Sequence, residues 1–234
     1  MREVSRQRKG DLYDHLRDSI LTLHYRPGSD LDEAKLAEEF GLSRTPLREV
    51  FRQLAGEGYL ELRENRGARV SEMSYQTMRD FFLAAPMVYG AVLRLAAMNA
   101  TTTQVAALKN VQDEFRKALT DGDAAERALL NNRFHEITGE MAGNIYLLPS
   151  FNRLLIDHVR ISMTFYRPQD DLQAENVEEA ARQHDQIITA IENRDEAEAA
   201  RLADAHWKLS RDRIELYVMP QALDVPFGEL ARSA

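Results

Sequence analysis

The sequence predicts a mainly α-helical protein in two parts: three helices and a small β-hairpin over residues 1–75, then an all-helical bundle over residues 76–234. Three observations carry that expectation. Apolar residues recur at helical spacing through most of the chain. One stretch, YLELR at residues 59–63, alternates apolar with polar instead and runs into the turn-forming ENRG. From residue 76 onward, long apolar-periodic segments follow one another with only short breaks.

Within the first part, residues 11–23 place Leu12, Leu16, Ile20 and Leu23 on one helical face. RPGSDL, residues 26–31, stops that helix with a Pro-Gly turn. A short helix over 33–40 turns Leu36, Ala37 and Phe40 inward, and Gly41 closes it. Ser43 is a suitable N-cap for a third helix reaching about residue 55, with Leu47, Val50, Phe51 and Leu54 as its buried face. Gly56 and Gly58 end it, and the hairpin with its tip at Glu64-Asn65-Arg66-Gly67 follows. In the second part, breaks are expected at 101–103, 121–123, 143–144, Pro149, 168–171 and 193–195, giving six or seven helices. Pro86 falls inside a helical pattern and is expected to kink it.

Composition bounds the chemistry. Hydrophobic residues make up 44% of the 234, a globular composition. The net charge of -8 excludes a generally basic nucleic-acid binder, so any such contact needs a local patch. The first 75 residues nearly balance, with 13 basic against 14 acidic, whereas the remainder holds 17 against 24. No cysteine is present, which removes disulfide and thiolate chemistry and fits a reducing compartment. No uninterrupted apolar run reaches the roughly 18 residues of a membrane span. The charged N-terminus lacks the apolar core of a secretion signal. A cytoplasmic protein without a membrane partner is expected.

Two short helices joined by a tight turn at Gly41-Leu42, followed by a hairpin, make a winged helix-turn-helix. The second helix of such a pair enters a major groove N-terminus first. Here that end carries Ser43, Arg44 and Thr45, with Arg48 one turn later. Arginine can grip guanine bidentately, while the hydroxyls and the helix amides suit phosphate oxygens. Gly67 permits a tight wing turn and leaves Arg66 at its tip, within reach of a minor groove.

The stretch PGSDLDEAKLAEEFGLSRTPLREVFRQLAGEGYLELRENRGARV resembles the winged-helix domain of GntR-family bacterial transcription regulators, a likeness that covers residues 10–72. The resemblance implies DNA contacts from Arg44, Thr45 and Arg48 on the recognition helix and from Arg66 and Gly67 on the wing. Members often carry arginine in the preceding helix, where this chain has Ala34 with Lys35 beside it.

In the second part, Asn131 and His135 stand at i and i+4, on one helix face. His184 is in register with Ile187, Ile188 and Ile191, and His206 lies close to the register of Leu202 and Leu209. Three imidazoles and an amide oxygen converging inside a bundle would suit zinc or nickel. Their spacing is no motif and by itself favours ordinary structural histidines, and His15, His24 and His158 read as such. NxxFH…AGN, then HDQIITAI, then a late histidine are similar to the FCD effector domain of the FadR subgroup. That resemblance implies a divalent metal on Asn131, His135, His184 and His206, although the first ligand is more often aspartate in the family. It also implies a small-molecule effector. Many such domains hold a carboxylate ligand with an arginine on the first bundle helix, where this chain has Ala85 followed by Pro86. An organic acid, or a less acidic or larger effector anchored differently, are both open. Tyr89, Arg133, Tyr146 and Arg213 are candidates for the pocket wall, with Arg160 and Arg94 further possibilities.

Together these features point to a ligand-responsive repressor that binds a pseudo-palindromic double-stranded operator as a homodimer. Two rivals stand beside it. One is a metal-dependent enzyme in a helical bundle fused to a DNA anchor. The residues flanking the histidines offer it no evident general base and no pair of Glu-x-x-His repeats. The other is a regulator working through a protein partner, with a pocket that is only packing.

Overall fold

The computed structural model describes residues 2–64, 67–168 and 170–218, with side chains described between residues 6 and 209. Helix α1 (Arg2–Leu21), α2 (Glu33–Glu39) and α3 (Arg44–Glu57) precede strands β1 (Leu60–Arg63) and β2 (Gly67–Val70). Leu12, Leu16 and Ile20 of α1 close on Leu47, Val50, Phe51 and Leu54 of α3, all at most 3% exposed. Asp32 caps α2 by accepting from the Ala34 and Lys35 amides, 3.0 Å each. The two strands pair antiparallel with Leu60 opposite Val70 and Arg63 opposite Gly67.

Two details depart from the sequence reading. Helix α1 ends at Leu21, and Leu23 sits outside it at φ +63°. Leu21 is 1% exposed and packs among Phe115, Ile156 and Val159 of the second part. The helical period extrapolates one partner's stripe; it carries no sign that a second body waits on another face. The wing also gains a third strand-like segment, because the Gly28 and Leu31 amides donate to the Val70 and Ala68 carbonyls at 3.0 and 2.9 Å. Arg69 is spent on this seam, donating to the Gly28 carbonyl and to Glu72.

The second part comprises α4 (Tyr75–Asn99), α5 (Thr102–Asp121), α6 (Ala124–Ala142), α7 (Leu147–Phe165), α8 (Asp171–Glu192) and α9 (Glu196–Val218). Side-chain caps start five of them locally. Ser74, Asp123 and Asp170 accept from the amide three residues on, Asp195 does the same for Glu198, and Thr101 forms a capping box with Gln104. Pro149, expected as a break, lies in the first turn of α7, where its missing amide costs no helical bond. Helix α4 packs against α6, α7, α8 and α9. It is the one described helix long and apolar enough, by length and composition, to cross a membrane. Its Phe81, Ala85, Tyr89, Val92 and Ala96 face is buried inside the bundle.

Helices α6 and α7 approach closely at Gly139, where an added Cβ would lie 2.8 Å from the fully buried Phe151 ring. Gly139→Val is therefore expected to lower the unfolding free energy by about 1–3 kcal/mol, the usual cost of overpacking a filled core. A urea titration reads this directly, and an unchanged midpoint would show that the helices can part.

The two parts meet along α7. Arg160, whose side chain is 0% exposed, donates to the Ser71 carbonyl at 3.0 Å and to Asp157 Oδ1 at 3.3 Å. Arg153 holds the other Asp157 oxygen at 2.9 Å. Burial lowers the Arg160 pKa from its usual value, and Asp157 opposes that shift. Arg160, a candidate pocket residue on sequence, is thus a strut between the two parts; its side chain crosses to the chain segment after β2.

Candidate functional site

Two surfaces carry chemistry. The first is the exposed side of α3. Leu42 and Leu47 anchor the turn and the helix from beneath, leaving Ser43, Arg44, Thr45 and Arg48 exposed together at its N-terminal end. Ser43 caps α3 by conformation only, with no hydrogen bond from its side chain to the helix. Arg44 has no ion-pair partner among the described residues. Arg48 lies 3.4 Å from Glu33, an exposed pair of little energetic weight. Gly67 adopts φ +77°, and a Cβ there would meet Glu33 Oε1 at 2.9 Å, so the wing base rests against α2. Lys35 is exposed on α2. Arg66 lies outside the described residues.

The second surface is internal. Asn131 and His135 come from α6, His184 from α8 and His206 from α9. Candidate donor atoms of the three histidines all lie within 4.8 Å of one another. Asn131, His135 and His184 are 1%, 2% and 0% exposed, and His206 is half-buried. Asn131 Oδ1, His135 Nε2 and His184 Nε2 are buried without a hydrogen-bond partner. Each such orphan costs about 1–3 kcal/mol unless something takes its lone pair. Burial, followed by the neighbouring imidazoles, holds His135 and His184 well below the ordinary histidine pKa. Burial likewise brings His206 to about 4. The rings are therefore neutral at pH 7, the form that binds a metal. Three neutral imidazoles, two of them with an unclaimed buried nitrogen, fit a borderline divalent cation such as zinc or nickel, and the unclaimed Asn131 oxygen lies one turn from His135 on α6.

The surroundings include residues that the sequence reading passed over. His158, read as ordinary, lies on α7 with its ring 5.1 Å from His135, and its Nδ1 bonds the Tyr89 hydroxyl at 2.7 Å. Burial, then His206, pushes it down to about 3. It follows Phe151 and Leu155 on the inward stripe of α7, a periodicity visible in the sequence. Gln112 sits between Leu108 and Phe115 on the inward stripe of α5 and accepts from His184 Nδ1 at 3.0 Å. Phe134 stacks on His184 with centroids 3.9 Å apart at 8°.

Of the proposed wall residues whose side chains are described, Tyr89 alone joins this centre, 5.6 Å from the His135 ring. Arg133 is on the surface, held by Glu136 and Glu140, because it points away from the face shared by Asn131 and His135. Tyr146 is 84% exposed at the start of α7. Arg94 is exposed, Ala85 is fully buried, and among the described residues no lysine or arginine is hydrogen-bonded to the three histidines. The Arg213 side chain lies outside the described residues.

The family profile for bacterial regulatory proteins of the gntR family matches residues 8–70, and that for the FCD domain matches residues 87–209. The Nta operon transcriptional regulator of Aminobacter aminovorans is 28% identical over 197 residues, covering 83% of this chain and 88% of that one. The HTH-type transcriptional repressor RspR of Escherichia coli is 28% identical over 187 residues, 79% of this chain and 78% of that one. Among solved structures, E. coli McbR/YncC superposes with a TM-score of 0.72 at 17% identity, covering 89% of this chain and 96% of that one, a likeness of fold.

Proposed function

The chain belongs to the gntR family of bacterial regulatory proteins and carries an FCD domain, and from that premise we propose that it is a metal-anchored, effector-responsive repressor. It is a DNA-binding transcription regulator and not an enzyme, as its family and relatives are. Residues 1–75 form the DNA-binding unit and residues 76–234 the effector-binding and dimerising one. The protein works in the cytoplasm as a homodimer, each winged helix taking one half-site. Arg44 and Arg48 read base edges, while Ser43, Thr45, Lys35 and the wing at Arg66 and Gly67 position the backbone. The relative named as a repressor supports the sign of control. Leu83 and Met87, 62% and 72% exposed on α4, support a surface that a second copy covers.

The observations that carry the metal are the three histidines with donor atoms within 4.8 Å of one another and the buried, unclaimed His135 Nε2, His184 Nε2 and Asn131 Oδ1. Asn131, His135, His184 and His206 would hold zinc or nickel, and the cation would supply an anchor for a small chelating ligand. An organic acid is the simplest ligand of that kind, oriented by the metal since no basic residue stands at Ala85. The ligand must favour one placement of the winged helices over another, or nothing switches.

Native mass spectrometry of untagged protein purified without chelator tests this reading. A dimer carrying one zinc- or nickel-sized mass per chain is expected. A metal-free dimer that takes up neither ion on titration contradicts the anchor, and a monomer contradicts the paired half-sites.

A further inference from the structure

Two histidines of the cluster stand at the head of identically built chains. His184 Nδ1 faces Gln112 Oε1 at 3.0 Å, while Gln112 Nε2 reaches the Ala181 carbonyl and Asp185 Oδ1, both at 2.9 Å. His206 Nδ1 faces Gln183 Oε1 at 3.1 Å, and Gln183 Nε2 reaches Glu179 Oε1 at 3.0 Å. Both glutamines are buried, 2% and 7% exposed. A glutamine amide can be turned either way, but here the far ends decide. A carbonyl and a carboxylate only accept, so each NH2 group must face them and each Oε1 must face an imidazole. The imidazole nitrogen opposite can then only be a donor. His184 and His206 are consequently Nδ1–H tautomers, with both Nε2 lone pairs free for the centre.

The outer ends differ from the inner ones in charge and exposure. Asp185 is held in turn by Arg116, and both are partly exposed. Among the described residues no carboxylate bonds Asn131, His135, His184 or His206 directly, so a divalent ion on these four would meet only neutral ligands. The nearest hydrogen-bonded negative charge is one amide away, at Asp185 and Glu179. A metal-bound histidine normally donates its outer nitrogen to a carboxylate, a backbone carbonyl or a water, and losing such a partner costs about 10–100-fold in metal affinity.

We propose that Gln112 and Gln183 are positioning residues that fix the tautomers of His184 and His206 and relay the charge of Asp185 and Glu179 to a metal held by otherwise neutral ligands. This rests on the metal reading above. It assigns to α5 and to the side of α8 that faces α9 a part in tuning the centre, although neither glutamine touches the metal.

The test uses full-length protein and zinc. In 15N-labelled metal-free protein, His184 and His206 should each show a protonated Nδ1 and an unprotonated Nε2, and this needs no substitution. Gln112→Met and Gln183→Met, close in volume, should each weaken zinc about 10–100-fold in competition with a chromophoric chelator and should mix the tautomers. Asp185→Asn still accepts from Gln112, so it should keep the tautomer and weaken zinc less than Gln112→Met does. A merely structural glutamine would alter the melting temperature of the metal-free protein and leave the tautomers unchanged. Protonated Nε2 in the wild type, or unchanged zinc affinity in both Met variants, overturns the proposal. If the wild type binds no zinc, the metal reading fails by itself, and the imidazole signature still decides whether the glutamines set the tautomers.

Discussion

Arg44→Ala and Arg48→Ala are each expected to weaken specific operator binding by about 1–3 kcal/mol, roughly 5- to 150-fold, and together to abolish it. The residues beneath them, Leu47, Val50, Phe51 and Leu54, are unaffected by either change, so the fold should stay intact. Arg48 gives up only an exposed contact with Glu33. Two controls separate the base readers from their neighbours. Lys35→Ala should weaken binding evenly across sequences and reduce the salt slope by about one. Arg69→Ala should lower stability first, because that side chain fastens the segment after α1 to the wing. Anisotropy titrations on the operator and on scrambled DNA distinguish these outcomes, and an unchanged footprint in Arg44→Ala removes Arg44 from base readout.

The second large effect concerns the buried centre. His135→Ala combined with His184→Ala should lose bound metal completely, since two of four ligands and two of three orphaned donors go with it. Wild-type protein at a metal concentration a hundred times its dissociation constant should gain about 2.7 kcal/mol over the stripped form. The chelator-induced fall in melting temperature should therefore vanish in the double variant. Full retention of metal, or an undiminished chelator shift, would place the ion elsewhere.

How much of this was legible beforehand depended on where the signal resides. Elements defined by a local period or a cap, such as α3 with Ser43 and the YLELR hairpin, were visible because their determinants lie within a few residues. The three histidines at 135, 184 and 206 cluster within 4.8 Å of one another, whereas their spacing alone favoured plain structural histidines. Resemblance narrowed that choice, and the orphaned nitrogens now support it. What stayed hidden depends on contacts across the fold. Leu21 reaches the second body, Arg160 spans 89 residues to Ser71, and Gln112 reaches His184 across 72. No periodicity encodes those partners. Arg133 and Tyr146 show the opposite failure, since residue type suggested a pocket wall and helix direction put them on the surface.

The most direct measurement is the dissociation constant for DNA upstream of the protein's own gene, taken on chelator-stripped protein, zinc-loaded protein, and zinc-loaded protein with a panel of chelating organic acids. The account predicts tight binding without ligand and at least a tenfold weakening with one of the acids, abolished in the His135→Ala, His184→Ala variant. One dissociation constant across every condition would contradict it, because the helical domain would then have no hold on the DNA-binding one.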